Sequence, residues 1–199
     1  QIRLAAEAPH DASRQSRLLT AHAILGRTQA LAGDPASGIE RLRRAVDIAS
    51  SLAATDASNA EAQEQVALYG TQLARLHRLQ GNLLAAGRLT AKAEAIFARL
   101  TARDGENTTW RREYAETLIE HAAQLRAIDD IAGARRQAEA GARMLAPLLE
   151  AAPADRSILL AATAGLLTQA DAAPDGLTAR RLREKALRTI SDAPGAESD

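Results

Sequence analysis

The chain has 199 residues, of which 46% are apolar and 2% aromatic, so its core must be built from Ala and Leu. It has no cysteine, which excludes disulfides, Cys-based zinc sites and thiol nucleophiles. With 25 basic and 25 acidic side chains the formal net charge is zero. Global charge therefore gives no argument for nucleic acid or an anionic membrane.

No run of about 18 apolar residues occurs, so no membrane span is expected. The opening stretch QIRLAAEAP lacks the apolar core of a signal peptide. Cytoplasm is the expected compartment by elimination. The sequon-like triplet Asn107-Thr108-Thr109 then has no meaning as a glycan site. Lys92 and Lys185 are the only lysines, and the Arg/Ala bias reads as a genome-composition signature.

Helix signals run through nearly the whole chain, and strand alternation is absent. Residues 1–8 read as the end of a hairpin that begins before Gln1. The next helix starts after Asp11 or Ser13 and runs to about Ala32. Asp34 followed by Pro35 is an N-cap with proline in the first turn. Asn59 precedes a run to Leu79, Thr108 a run to Ile128, and Asp155 a run to Asp171. Pro147 is expected to kink or end the helix that contains it. From Ser191 the tail is small, polar and acidic, and 191–199 is expected to be disordered.

A fixed period organises these elements. Gly33-Asp34, Gly81-Asn82 and Asp129-Asp130 recur every 48 residues, as do Ala45, Ala93 and Gly141, and Gly26, Ala74 and Ala122. The linkers Ala5-Ala6, Ala53-Ala54, Thr101-Ala102 and Leu149-Glu150 keep the same spacing. Fixed-period self-similarity marks a repeat protein. The expected units are about 11–57, 58–105, 106–153 and 154–190. The fourth drifts, with its small residues at Ala179 and Ala186, 45 residues after Ala134 and Gly141. Short turns between paired helices make neighbours antiparallel.

Leu25-Gly26, Gly33-Asp34, Ile39 and Ala45 resemble the tetratricopeptide repeat (TPR) signature. The second unit matches at Leu73-Ala74, Gly81-Asn82, Ala86 and Ala93, and the third at Ala122, Asp129-Asp130, Ala134 and Gly141. A large side chain at these places would push paired helices apart. The resemblance covers about residues 11–190. The family period is near 34, so the helices here must be longer, by about two turns each. The family's large aromatics in the first helix are replaced by Gln29, His77 and Leu125, among others. The resemblance implies an all-α, right-handed α-α superhelix of about four hairpins. It further implies a protein–protein interaction module, without enzymatic activity or cofactor, within a larger bacterial signalling protein.

In TPR-like arrays the first helix of each hairpin lines the concave groove. That register points to Arg27, Leu31, Arg75, Arg78, Leu79 and Arg126 as partner-binding residues. Arg27 and Arg75 are one period apart, as are Arg78 and Arg126. Such arginines can grip carboxylates through bidentate hydrogen bonds, so the expected partner is a protein or an acidic peptide. The preceding part of the same chain is a second expected partner. Trp110 and Tyr114, one helical turn apart, are either a binding hot spot or a staple holding the linker.

Two alternatives come from other classes. The second helices carry a basic set, Arg41, Arg43, Arg44, Arg88, Lys92, Arg99, Arg103, Arg135, Arg136 and Arg143, continued by Arg180, Arg181, Arg183, Lys185 and Arg188. It can face an acidic partner or nucleic acid, although stacking aromatics are scarce. Glu116, Glu120 and His121 with Asp129 and Asp130 form the densest acidic stretch. It reads either as acid–base machinery of a catalytic or regulatory domain or as a solvated helix face with a turn cap. The P-loop, dinucleotide, nucleophile-elbow and HExxH patterns are absent. The four histidines occupy different places in their units, so no metal site is expected.

Overall fold

The computed structural model describes residues 12–193. Among them are eight α-helices and no strand: α1 (Ala12–Leu31), α2 (Pro35–Thr55), α3 (Ala60–Leu79), α4 (Leu83–Arg103), α5 (Thr108–Ala127), α6 (Ile131–Ala151), α7 (Arg156–Asp171) and α8 (Gly176–Ser191). The hairpin remnant expected at 1–8 and most of the expected tail lie outside the described residues. Ser191 itself closes α8, and Ser13 lies inside α1 rather than capping it. The chain divides into two compact units, Gln1–Ile96 and Phe97–Asp199.

The period is written into the helix lengths. α1, α3 and α5 have 20 residues each, and α2, α4 and α6 have 21. α7 and α8 are shorter, at 16 each.

The turns repeat atom for atom. Gly33 (φ 88°), Gly81 (φ 76°) and Asp129 (φ 62°) all adopt the left-handed conformation. Each begins a Schellman closure, which satisfies carbonyls left over at a helix end. Gly33 N donates to Ala30 O (3.2 Å) and Asp34 N to Gln29 O (2.9 Å). Gly81 N donates to Arg78 O (2.9 Å) and Asn82 N to His77 O (2.8 Å). Asp129 N donates to Arg126 O (3.1 Å) and Asp130 N to Leu125 O (3.0 Å). The turn before α8 is longer and does not use a left-handed residue.

The caps repeat as well. Asn59, Asn107 and Asp155, each 48 residues apart, accept from the backbone N–H groups of Ala62, Trp110 and Ile158. The cap of α5 is thus Asn107 rather than Thr108, which is the first helical residue. Asp34 accepts from Ser37 N and Asp130 from Gly133 N.

Small residues set the helix crossings. A Cβ on Gly26 would stand 3.0 Å from the Gly38 carbonyl oxygen, and one on Gly38 would stand 2.9 Å from that of Gly26. At that distance neither backbone can yield, so α1 and α2 meet glycine on glycine. Gly38, not Ile39, therefore occupies the position of Ala86 and Ala134. All of these small residues are buried, as are Ala74, Ala122, Ala45, Ala93 and Gly141. In α8 the buried residues are Ala179 and Ala186, as the 45-residue drift predicts.

Neighbouring helices pack in chain order, as a helical solenoid does. In the first unit α1 packs on α2 and α2 on α3. Leu19, Leu42, Ala45 and Ala67 are essentially sealed from solvent there. In the second unit α5 packs on α6, and α7 packs on α5, α6 and α8. Its core joins Ala115, Ile119, Leu145, Leu148, Ile158 and Ala161. Pro147 does not end α6, which runs on to Ala151. The missing N–H deprives the Arg143 carbonyl of its helical partner. Both residues are exposed, so water can serve that carbonyl.

Candidate functional site

In the first unit, α1 and α3 end in the same exposed pair of side chains. Arg27 and Arg75 are exposed one period apart. One turn further on, Leu31 is 89% and Leu79 63% exposed. Residues four apart share a helix face, so each helix presents an Arg–Leu pair immediately before its Schellman turn. Arg78 is half-buried beside Leu79. In the second unit Arg126 is exposed at the end of α5, followed by Ala127 where the earlier helices carry leucine.

The aromatics are placed differently. The Tyr114 ring stacks on Phe97, with centroids 6.4 Å apart and planes 23° apart. This contact staples the start of α5 to the last turns of α4. Trp110 is half-buried. The stacking supports the staple reading for Tyr114.

The acidic stretch is buried in one part and exposed in another: Glu120 is buried, whereas Asp129 and Asp130 are exposed. Glu120 is 2% exposed, because α5 lies against α6 and α7 rather than on the surface. With Glu113 (5%), Thr117 and Gln124 it forms a buried polar stripe along α5. Glu113 Oε1 accepts from Arg112 Nη2 at 3.2 Å, and Thr117 Oγ1 donates to the Glu113 carbonyl at 2.9 Å. Arg112 also pairs with Glu116, so one guanidinium serves two carboxylates. Asp129 forms the left-handed turn and Asp130 caps α6. Glu116, Asp129 and Asp130 thus have separate structural duties.

Sequence reasoning missed Glu113. Its signal was the 113/117/120/124 spacing, which places four polar groups on one face of α5.

His22 is a second omission. It is 3% exposed, its Nδ1 lacks a hydrogen-bond partner, and burial depresses its pKa, aided by Arg41 and Arg44 and opposed by Glu40. His77 is depressed by burial alone.

Part of the basic set is engaged by neighbouring groups. Glu40 binds Arg43 and Arg44, Glu139 approaches Arg143, and Glu184 binds Arg180. Arg135 Nε donates to the Ala172 carbonyl at 3.3 Å and Arg183 pairs with Asp171. Exposed pairs of this kind contribute little to stability. At the end of the second unit, a cleft of about 280 Å³ lies between Leu149, Pro153, Leu159, Lys185 and Arg188.

Among the described residues no group of three or more His, Asp or Glu side chains could hold a metal ion. No helix among them is long and apolar enough to cross a membrane. The chain matches no family model, no curated protein and no solved structure.

Proposed function

We propose that the chain is a TPR-like interaction module, a right-handed superhelix of about four antiparallel hairpins serving a larger bacterial signalling protein. Three features support the architecture: recurring Schellman turns, caps in strict register, and small residues where helices cross. All three follow the 48-residue period.

The function proposed is capture of an acidic peptide segment along the first-helix faces. The observation that carries it is the repeated exposed pair, Arg27 with Leu31 and Arg75 with Leu79. Exposed leucine on two successive repeats gains free energy by leaving water, and arginine one turn away supplies a planar donor for carboxylates. A segment that alternates carboxylates with apolar side chains would satisfy both.

A peptide array of graded charge and hydropathy tests the reading. Acidic, leucine-containing peptides should be retained, and the Arg27→Glu/Arg75→Glu double variant should lose them by about tenfold or more per reversed contact. Equal retention by the folded variant, or a preference for basic peptides, would overturn it.

A further inference from the structure

α6 and α8 are equivalent helices, 45 residues apart in the register of Ala134 with Ala179 and Gly141 with Ala186. Two differences along that register reshape the seam between them. Met144 of α6, which packs against the core of the second unit, is replaced in α8 by Thr189, and Ala140 by Lys185. The shorter Thr189 leaves space unfilled. It lines the cleft of about 280 Å³ together with Leu149, Pro153, Leu159, Lys185 and Arg188. A second hollow of about 90 Å³ shares Leu149, Lys185 and Thr189 and adds Leu145 and Leu166. The two form one apolar groove with Lys185 on the wall of both.

The cations at this groove are left over from the helix pairing. Arg143 of α6 lies 3.9 Å from Glu139. The equivalent pair in α8 would be Arg188 with Glu184, but Glu184 accepts instead from Arg180 Nε at 2.8 Å. Lys185 has no carboxylate three or four residues away on either side. Neither Lys185 nor Arg188 has an ion-pair partner among the described residues. Asp192, on the same lining, accepts from Ser191 Oγ at 2.8 Å.

The groove is separate from the face on which helices stack. Leu145 helps to seat α7, and its equivalent, Ile190, does not line the groove. Arg143, the equivalent of Arg188, stays exposed although α7 packs on α6. A further helix stacked in the same way would leave the groove open.

The walls select the occupant. Apart from the two cations, Asp192 and Thr189, the lining side chains are hydrocarbon, and the Thr189 hydroxyl donates to the Lys185 carbonyl at 2.9 Å. A peptide backbone laid there would bury amide groups without partners, which is costly. An alkyl chain has no such groups and gains by leaving water. The volume is at the lower end of the range of small-molecule sites. We infer that the groove binds a free medium-chain carboxylate. Its alkyl chain lies against Leu145, Leu149, Leu159 and Leu166, and its head group pairs with Lys185 and Arg188. This site is independent of the acidic-peptide site on α1 and α3.

Isothermal titration calorimetry with decanoate up to about 1 mM reads the binding. The chain should bind decanoate at a single site. Acetate and decyltrimethylammonium should bind at least about tenfold more weakly, since one lacks the chain and the other the negative charge. Lys185→Glu/Arg188→Glu should weaken decanoate binding by about tenfold or more, because both favourable charges are reversed. Thr189→Met gives α8 the side chain of α6 and keeps both cations. It should weaken binding by about tenfold, by taking the space of about two methylene groups. Absence of saturable decanoate binding by the wild-type chain would overturn the inference. So would equal affinity for decyltrimethylammonium, or unchanged decanoate affinity in the folded Thr189→Met chain. Retention on phosphatidylglycerol vesicles or acidic peptides through Lys185 and Arg188, in place of decanoate binding, would overturn it as well.

Discussion

Gly26 and Gly70 are both buried in the first unit, yet a methyl group would meet different surroundings at each. At Gly70 a Cβ finds nothing within 4 Å, and the backbone is helical. Gly70→Ala should stabilise the chain by about 1 kcal/mol through lower unfolded-state entropy and better helix propensity. At Gly26 the same change presses on the Gly38 carbonyl, and Gly26→Ala should cost about 1–3 kcal/mol. Urea midpoints of the two variants should move in opposite directions. His22 supplies a pH test. Its folded pKa lies below the ordinary 6.5, so the unfolded chain takes up a proton that the folded chain resists. The sign follows: stability is full above about pH 6.5 and falls as pH drops toward the folded value. Leu118 and Leu166 occupy the equivalent place two and three periods on. His22→Leu should therefore flatten the difference in urea midpoint between about pH 7.5 and about pH 5.5. An unchanged difference would assign the acid sensitivity to other groups.

At the scale of the element, the punctuation was the most legible part of the sequence. Asp34, Asn59 and Asp155 are recognisable caps because a short polar side chain can reach the exposed N–H groups of the first turn. Asn107 was displaced by one residue to Thr108, although the spacing from Asn59 identifies it. Asn107→Ala should cost about 1 kcal/mol and Thr108→Ala markedly less, as thermal unfolding would show. The left-handed residues make a sharper comparison. Asp129 holds the conformation for which Gly33 and Gly81 need no side-chain accommodation. Asp129→Gly should be neutral or stabilising, whereas Asp129→Val should destabilise by about 1–2 kcal/mol. Pro147 does not end its helix, because a proline near a helix end, on its solvent face, removes a hydrogen bond that water can replace. The burial of Glu120 was not legible because it is imposed by the packing of α6 and α7 on α5, whose own pattern gives no strong apolar face.

At the scale of the whole molecule, stability in a repeat array arises from each repeat and its nearest neighbours. Leu145→Ala, in the core of the second unit, should cost about 2–5 kcal/mol. Hydrogen exchange should show that loss chiefly in α5 to α8, with α1 to α3 retaining their protection. A uniform loss across all eight helices would instead mark one cooperative block. The period, the turns, the helix lengths and the all-α class were determined by the sequence itself. These depend on local chemistry: which residues tolerate a left-handed backbone, which cap a helix, and which are small enough for a close crossing. The 45-residue drift of the last hairpin was equally legible, because Ala179 and Ala186 announce it. Tertiary structure alone decided which polar groups are buried. Glu113, Glu120 and His22 lie in stretches that read as ordinary helix, and only the helices packed against them remove them from water. It also decided that Leu31 and Leu79 stay exposed while Leu73 does not, and that Ile119 is covered while Leu167 is open. Leu25 and Leu73, identical side chains one period apart, differ in exposure because burial belongs to the neighbouring helix, not to the residue.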